Sequence, residues 1–155
     1  MPRGVSLAVI ALAVLLVAAC GGSSRLSASA YRAHLATVAK ESDAAQHSVE
    51  KGFQATSVPQ LSKVLAGFAA AEKRAGDEVA TFKAPKDAEP ANTELVNAYH
   101  DTASEVQALI PKIQKMATAK AAIAYLQRSP QTKGGRELDD ALAKLEKLGY
   151  IKNVS

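Results

Sequence analysis

Apolar residues recur every three or four positions through most of the chain, which is the spacing of one face of an α-helix. Four such segments follow one another between about residue 27 and residue 149. No stretch alternates strictly between apolar and polar residues, as a half-buried strand does. The pattern predicts helices over about 27–54, 58–83 and 88–116, then a fourth helix divided into 119–128 and a segment that begins after Ser129-Pro130.

Residues that favour helix starts and ends mark the boundaries of these segments. Ser27 is a good N-cap, Asp87 is placed to cap the third helix, and Ser129-Pro130 is placed to cap the last helical segment. Pro111 lies inside the third segment, where it removes a backbone hydrogen bond and predicts a kink. Gly149 follows the last apolar repeat, as a C-cap glycine does. Because short connections join long helices, the expected fold is all-α: an antiparallel up-down four-helix bundle with the fourth helix split near Ser129-Pro130.

The first 22 residues have a different pattern. A single early base, Arg3, precedes a continuous apolar run that ends at Val17-Ala18-Ala19-Cys20. A basic start, a short apolar run and small residues before the cleavage point describe a secretory signal. The run is too short to cross a hydrocarbon core of ~30 Å comfortably.

Val17-Ala18-Ala19-Cys20 resembles the lipobox of bacterial lipoproteins. The resemblance implies cleavage after Ala19 and a diacylglyceryl thioether on Cys20. The two acyl chains of that group would anchor the protein stably, whereas one chain would not. The mature chain would then be held through its acyl chains at the outer face of the cell membrane, or at the outer membrane of a host with two membranes. The alternatives are an uncleaved signal anchor and a soluble secreted protein with a free thiol.

This reading divides the chain into four parts: a signal peptide (1–19), the lipidated Cys20 with a Gly/Ser tether (20–26), a helical domain (27–149) and a C-terminal tail (150–155). The helical part also resembles small Ala-rich helical lipoproteins of actinobacterial type. The shared features are short, namely Leu26-Ser27, Tyr31-Arg32, Ala84-Pro85 and Leu148-Gly149-Tyr150. That resemblance implies no active site.

Composition and motifs argue against most catalytic chemistry. One cysteine excludes an intramolecular disulfide framework and a Cys-based zinc site. No Glu-x-x-His pair, Gly-x-Ser-x-Gly elbow or phosphate-binding loop occurs, and the three histidines (His34, His47 and His100) are expected to point in different outward directions. We therefore expect no catalytic residue, no cofactor and no metal site, and a protein that is not an enzyme.

Two features remain as candidate binding sites. Ser42, Glu72 and Thr102 each occupy an apolar-face position near the middle of a predicted helix, where they could line a small polar cavity for a ligand. The alternative is that Ala71 takes the core position and Glu72 lies at its rim. The second feature is a run without acidic residues between Glu105 and Glu137, which contains Lys112, Lys115, Lys120 and Arg128.

The basic run is either a solvated surface or a contact for anionic lipid headgroups or an anionic envelope polymer. Nucleic acid is not expected as a partner, because the aromatic residues that would stack on bases lie on the apolar faces. The sequence thus predicts a monomeric, membrane-anchored lipoprotein of the cell envelope that acts as a non-enzymatic binding or interaction module, with an unidentified protein partner left open. The alternative function is a carrier of a small ligand in the mid-bundle cavity.

Overall fold

The computed structural model describes residues 24–152, and within that range the chain forms five α-helices and no strand. Their bounds are α1 (Ala28–Gly52), α2 (Val58–Ala80), α3 (Glu89–Gln114), α4 (Ala119–Arg128) and α5 (Lys133–Lys147). The all-α prediction is confirmed. The helices end within two or three residues of the predicted positions, and α3 continues through Pro111.

Four of the five helices begin at a hydroxyl side chain that caps the first turn. The Oγ of Ser27 accepts a hydrogen bond from the N–H of Ala30, and Ser57 accepts one from Gln60. Thr118 caps α4 and Thr132 caps α5 in the same way. Each such cap satisfies a backbone donor that the helix itself leaves free.

Two expected caps are wrong. The helix α3 starts at Ala88 without a side-chain cap, and the carboxylate of Asp87 instead accepts a hydrogen bond from the Tyr150 hydroxyl at 2.9 Å. At the break before α5, the cap is Thr132 rather than Ser129. The Ser129 hydroxyl donates to the carbonyl of Tyr125 and so finishes α4.

The last helix ends as the glycine predicts. Gly149 has φ of 76°, a conformation that a side chain would strain. Its N–H bonds the carbonyl of Glu146, and the N–H of Tyr150 bonds that of Leu145. This pair of bonds is the Schellman motif. Tyr150 and Leu145 are both buried in the same cluster, so the turn brings the chain back onto the core.

The helices pack in a bundle around two apolar clusters. Neighbouring pairs are α1 with α2, α2 with α3, and α3 with α5, while α4 makes a smaller contact with α2. The lower cluster includes the buried residues Tyr31, Leu35, Val38, Ala75, Val79, Leu95, Tyr99, Ala141, Leu145 and Tyr150. The upper cluster contains Ala55, Leu61, Leu65, Ala69, Val106, Ile110, Ile113 and Ala122. The second half of α2 and the first half of α3 thus contribute side chains to the lower cluster. The first half of α2 and the second half of α3 contribute to the upper cluster.

The described chain enters the fold at the lower end. The N–H of Leu26 bonds the carbonyl of Lys83 at 2.7 Å, between α2 and α3. Arg25 donates to the carbonyl of Ala84 at 2.9 Å and pairs with Glu89 at 2.7 Å. These contacts fix the entry point beside the first turn of α3. No helix within residues 24–152 is both long enough and apolar enough to span a membrane.

Candidate functional site

The predicted lipid attachment, Cys20 with its preceding Val17-Ala18-Ala19, lies outside the described residues. The structure does place the point to which this segment connects, because Arg25 and Leu26 are bound to the loop between α2 and α3. The anchor therefore stays a prediction, with a defined position at which it would join the fold.

Glu72 lies inside the bundle and not at its rim. Its side chain is 1% exposed, whereas the neighbouring Ala71 is only half-buried. One carboxylate oxygen, Oε1, accepts a hydrogen bond from the Ser42 hydroxyl at 2.8 Å. Within the described part of the chain, the other oxygen has no hydrogen-bond partner. The sequence left open whether Glu72 or Ala71 occupies the core position, and in the structure it is Glu72.

Burial sets the protonation of this group. It raises the pKa of Glu72 above the ordinary range of a glutamate, and the hydrogen bond from Ser42 partly opposes that rise. Tyr99 is nearby, and its pKa is raised first by burial and then by the charge of Glu72. The middle of the bundle therefore keeps the proton on Glu72 to a higher pH than at an exposed glutamate, and the protonated acid can donate as well as accept a hydrogen bond.

Thr102 is buried in the middle of α3, but it is not joined to Ser42 or Glu72 by a hydrogen bond within residues 24–152. The start of α5 crosses it closely. A Cβ built on Gly134 would collide with the backbone nitrogen of Thr102 and lie 2.8 Å from its Oγ1. The N–H of Gly134 also donates to the carboxylate of Glu105 at 3.0 Å. Gly134 is therefore a packing residue that lets the start of α5 approach the middle of α3 at Thr102.

A groove that the sequence did not predict opens between α3 and α5. Its volume is about 460 Å³, and it is lined by charged and polar side chains that include Glu94, Asp101, Lys133, Glu137 and Lys144. Lys133 pairs with Asp101 and Glu137 at 3.1 Å each, and Lys144 pairs with Glu94 at 2.5 Å. The two lysines that line the groove are thus already neutralised by carboxylates across it. None of Ser42, Glu72 and Thr102 is among its lining residues.

The three histidines are separate in the structure. His47 is exposed and lies 2.9 Å from Glu50, and His34 stacks on Phe82. His100 does not point fully outward as expected, because it packs over Gly76 and lies 3.1 Å from Asp77. In the part of the chain that the structure describes, no group of three His, Cys, Asp or Glu side chains could hold a metal ion.

The basic run divides between two places. Lys112 and Lys115 lie at the end of α3, and Lys120 lies in the first turn of α4, so all three are exposed at the upper end. Arg128 lies at the other end of α4. Lys51 at the end of α1 and Lys63 near the start of α2 join the upper group, because both helix ends flank the upper cluster. We call Lys51, Lys63, Lys112, Lys115 and Lys120 the basic end.

The basic end is far from the point at which the chain enters the fold. Arg25 pairs with Glu89 in the first turn of α3, and Lys112 lies 23 residues further along the same helix. At 1.5 Å per residue, the separation is about 35 Å. Among residues 24–152, no carboxylate forms a salt bridge with a lysine of the basic end. These lysines are therefore exposed and unpaired within the described residues.

Sequence reasoning found Lys112, Lys115 and Lys120 from the missing acids around them, but it did not find Lys51 and Lys63. Lys51 directly follows an acid, Glu50, and Lys63 is the only charged residue between Lys51 and Glu72, so both join the basic end only through packing. No protein-family model, curated protein or solved structure matches this chain.

Proposed function

We propose that this protein is a lipid-anchored lipoprotein of the cell envelope that presents its basic end to an anionic polymer of the envelope. It acts by binding, without catalysis. The anchor is supported by the signal pattern and by Val17-Ala18-Ala19-Cys20. The observation that carries the binding role is the position of the basic end, about 35 Å along α3 from the residue where the anchored segment joins the fold.

The distance supports an anionic polymer over lipid headgroups, the two partners that the sequence left open for this surface. Between Cys20 and Arg25 there are five residue steps, which span at most about 18 Å when extended. Charges at physiological ionic strength act over about 8 Å. With the bundle upright on its anchor, the basic end is beyond the reach of the bilayer and open to polymers further out.

The finer topology belongs to the same proposal. We read the fold as an antiparallel up-down four-helix bundle in which α4 and α5 together form the fourth member. The start of α1 meets the end of α2, and Tyr150 after α5 meets Asp87 before α3. The four residues 129–132 separate the two parts of the fourth member, at the predicted Ser129-Pro130.

The anchor is tested by Cys20→Ser in the full chain, expressed in a bacterial host. The wild-type protein is expected to partition into detergent and to carry the mass of an acylated cysteine. Cys20→Ser is expected to lose both properties, because serine cannot form the thioether. If detergent partitioning and mass are the same in both proteins, the lipoprotein assignment is wrong.

The binding role is tested with the lipidated protein in detergent and immobilised polyphosphate as the polyanion, with uncharged dextran as the matched matrix. Binding to polyphosphate is expected to fall with salt. The triple variant Lys112→Glu, Lys115→Glu and Lys120→Glu is expected to bind on the order of tenfold or more weakly, since each base near an anionic surface is worth about 1 kcal/mol.

The control triple has to come from the sides of the bundle, away from the lysines at both of its ends. Lys51 and Lys63 are unsuitable, although their place in the sequence suggests them, because they belong to the basic end. Lys40 in α1, Arg74 in α2 and Arg136 near the start of α5 are exposed along the sides of the bundle and serve instead. If both triple variants lose the same amount of polyphosphate binding, or if the protein is retained equally on dextran, the basic end is only a solvated surface.

The second candidate function is a small-ligand carrier, favoured by the buried polar atoms in mid-bundle. Glu72 Oε2 and Thr102 Oγ1 have no hydrogen-bond partner among residues 24–152. A ligand with a donor for the carboxyl oxygen would satisfy the first. Native mass spectrometry of the protein purified from its host tests this role. A stoichiometric small molecule that Glu72→Leu loses supports a carrier, and its absence favours the binding module alone.

A further inference from the structure

The lower end of the fold carries a second basic surface, which we call the collar and define as Arg25, Arg32, Lys83, Lys86, Lys147 and Lys152. These residues are distant in sequence, but packing gathers them around the point where the chain enters the fold. Arg32 donates to the carbonyl of Gly149 at 2.9 Å, which joins the start of α1 to the end of α5. Lys83 and Lys86 stand in the loop that binds Leu26.

The collar is only partly neutralised by its neighbours. Arg25 pairs with Glu89, and the carboxylate of Asp87 is taken up by the Tyr150 hydroxyl. Lys83, Lys86 and Lys147 are exposed and have no salt bridge with a carboxylate of the described residues. The acids of this end, Glu78, Asp87, Glu89 and Glu146, are outnumbered by the six bases of the collar.

An apolar side chain stands within this charged surface. Leu148, which follows Lys147 at the end of α5, is 41% exposed and is the large hydrophobic side chain that residues 24–152 leave most open to solvent. Close to the entry point, a groove of about 430 Å³ is lined by Arg25, Phe82, Lys83 and Glu89 among others. Bases around an exposed leucine suit a lipid surface, because phosphates meet the bases while the apolar side chain reaches the acyl boundary.

We propose that the collar rests on anionic phospholipid, so that the anchored bundle stands upright on its lower end with the basic end directed away from the bilayer. This inference rests on the proposed lipid anchor at Cys20. The short segment from Cys20 to Arg25 confines the collar to within about 18 Å of the membrane, where its local concentration against the headgroups is high.

The test uses the full lipidated chain reconstituted into vesicles, either purely zwitterionic or containing anionic phospholipid. A fluorescent dye is placed at Ala80→Cys near the collar or at Ala117→Cys near the basic end, both at exposed positions. Lipids with a contact quencher on the headgroup report which end touches the membrane. In a lipidated protein the dye reacts only with the introduced cysteine, because the sulfur of Cys20 is blocked.

With anionic vesicles, the dye at Ala80→Cys is expected to be strongly quenched and the dye at Ala117→Cys weakly. The difference in quenching between the two dye positions, which we call the contrast, should shrink in zwitterionic vesicles and at high salt. The triple variant Lys83→Glu, Lys86→Glu and Lys147→Glu should abolish it, and a milder triple change to Gln should reduce it. The matched triple Lys112→Glu, Lys115→Glu and Lys120→Glu should leave it unchanged.

Quenching at Ala117→Cys in anionic vesicles would overturn the upright orientation, as would a contrast that survives charge reversal in the collar or is equal in both lipids. Failure of the anchor gives a different result. An unacylated Cys20 would take up a second dye, and the protein would not stay with zwitterionic vesicles, which overturns the proposed function and the collar together. Acylated protein without the contrast overturns the collar and the upright orientation, and leaves the anchor at Cys20 standing.

Discussion

At the scale of single residues, the least typical feature of the core is a carboxyl group. Glu72 occupies the apolar face of α2, between residues of the lower and upper clusters, with one hydrogen bond from Ser42. Because a buried charge is costly, such an acid holds its proton to a higher pH than an exposed one does. The free energy of unfolding is therefore expected to depend on pH through this one residue.

The sign of that dependence follows from the raised pKa of Glu72. The unfolded chain releases this proton near pH 4.3, whereas the folded chain holds it to a higher pH. The contribution to stability is thus complete below about pH 4 and is lost as the pH rises through the folded-state pKa. Glu72→Gln removes the titrating group, so we expect its unfolding free energy to vary less between pH 4 and pH 8.

Urea unfolding across this pH range measures the effect. Each unit by which the folded-state pKa exceeds the unfolded one corresponds to about 1.4 kcal/mol of stability lost at high pH. Glu41→Gln, which removes an exposed carboxyl from α1, is the matched control. If the wild type and Glu72→Gln have parallel pH profiles, the carboxyl does not titrate as its burial implies.

At the scale of elements, close approach of the start of α5 to the middle of α3 depends on a glycine. A Cβ at Gly134 would meet the backbone of Thr102, which cannot turn aside as a flexible side chain can. We expect Gly134→Ala to destabilise the fold by about 1–3 kcal/mol, the usual cost of overpacking. Thermal unfolding checks this loss.

The same substitution of glycine by alanine at Gly67 should change the stability in the opposite direction. Gly67 lies within α2, and a Cβ there would meet nothing within 4 Å. Gly67→Ala is expected to stabilise the protein by up to about 1 kcal/mol, because alanine favours the helix. A stable Gly134→Ala variant would show that α5 can move away from Thr102 at little cost.

At the scale of the whole molecule, the apolar surface is almost completely enclosed by one chain. Both clusters are covered by helices, and the one large hydrophobic side chain classed as exposed in residues 24–152 is Leu148. A single exposed leucine gives a second copy little area to bury. We therefore expect residues 24–155 without lipid to form a helical monomer.

Sedimentation and circular dichroism test that expectation together. A monomer mass with a helix-dominated spectrum agrees with it. A stable dimer would mean that a further apolar surface becomes exposed, and a spectrum of strand or coil would contradict the fold class itself.

The sequence by itself determined the local structure, because helix periodicity, capping and C-cap glycines act over a few residues. It predicted the five helical segments and the caps at Ser27 and Gly149. It could not decide between Ala71 and Glu72 for the core, since adjacent residues differ by only about 100° around a helix and packing makes the choice.

Only the tertiary structure decided which distant residues share a surface. It assigned Asp87 to Tyr150 instead of a helix cap, and it brought Lys51 and Lys63 to the basic end. It also gathered Arg25, Lys83 and Lys147 into the collar. Periodicity gives the face on which a residue lies but carries no information on which helix ends meet, because that is settled by the burial of apolar faces far apart in the chain.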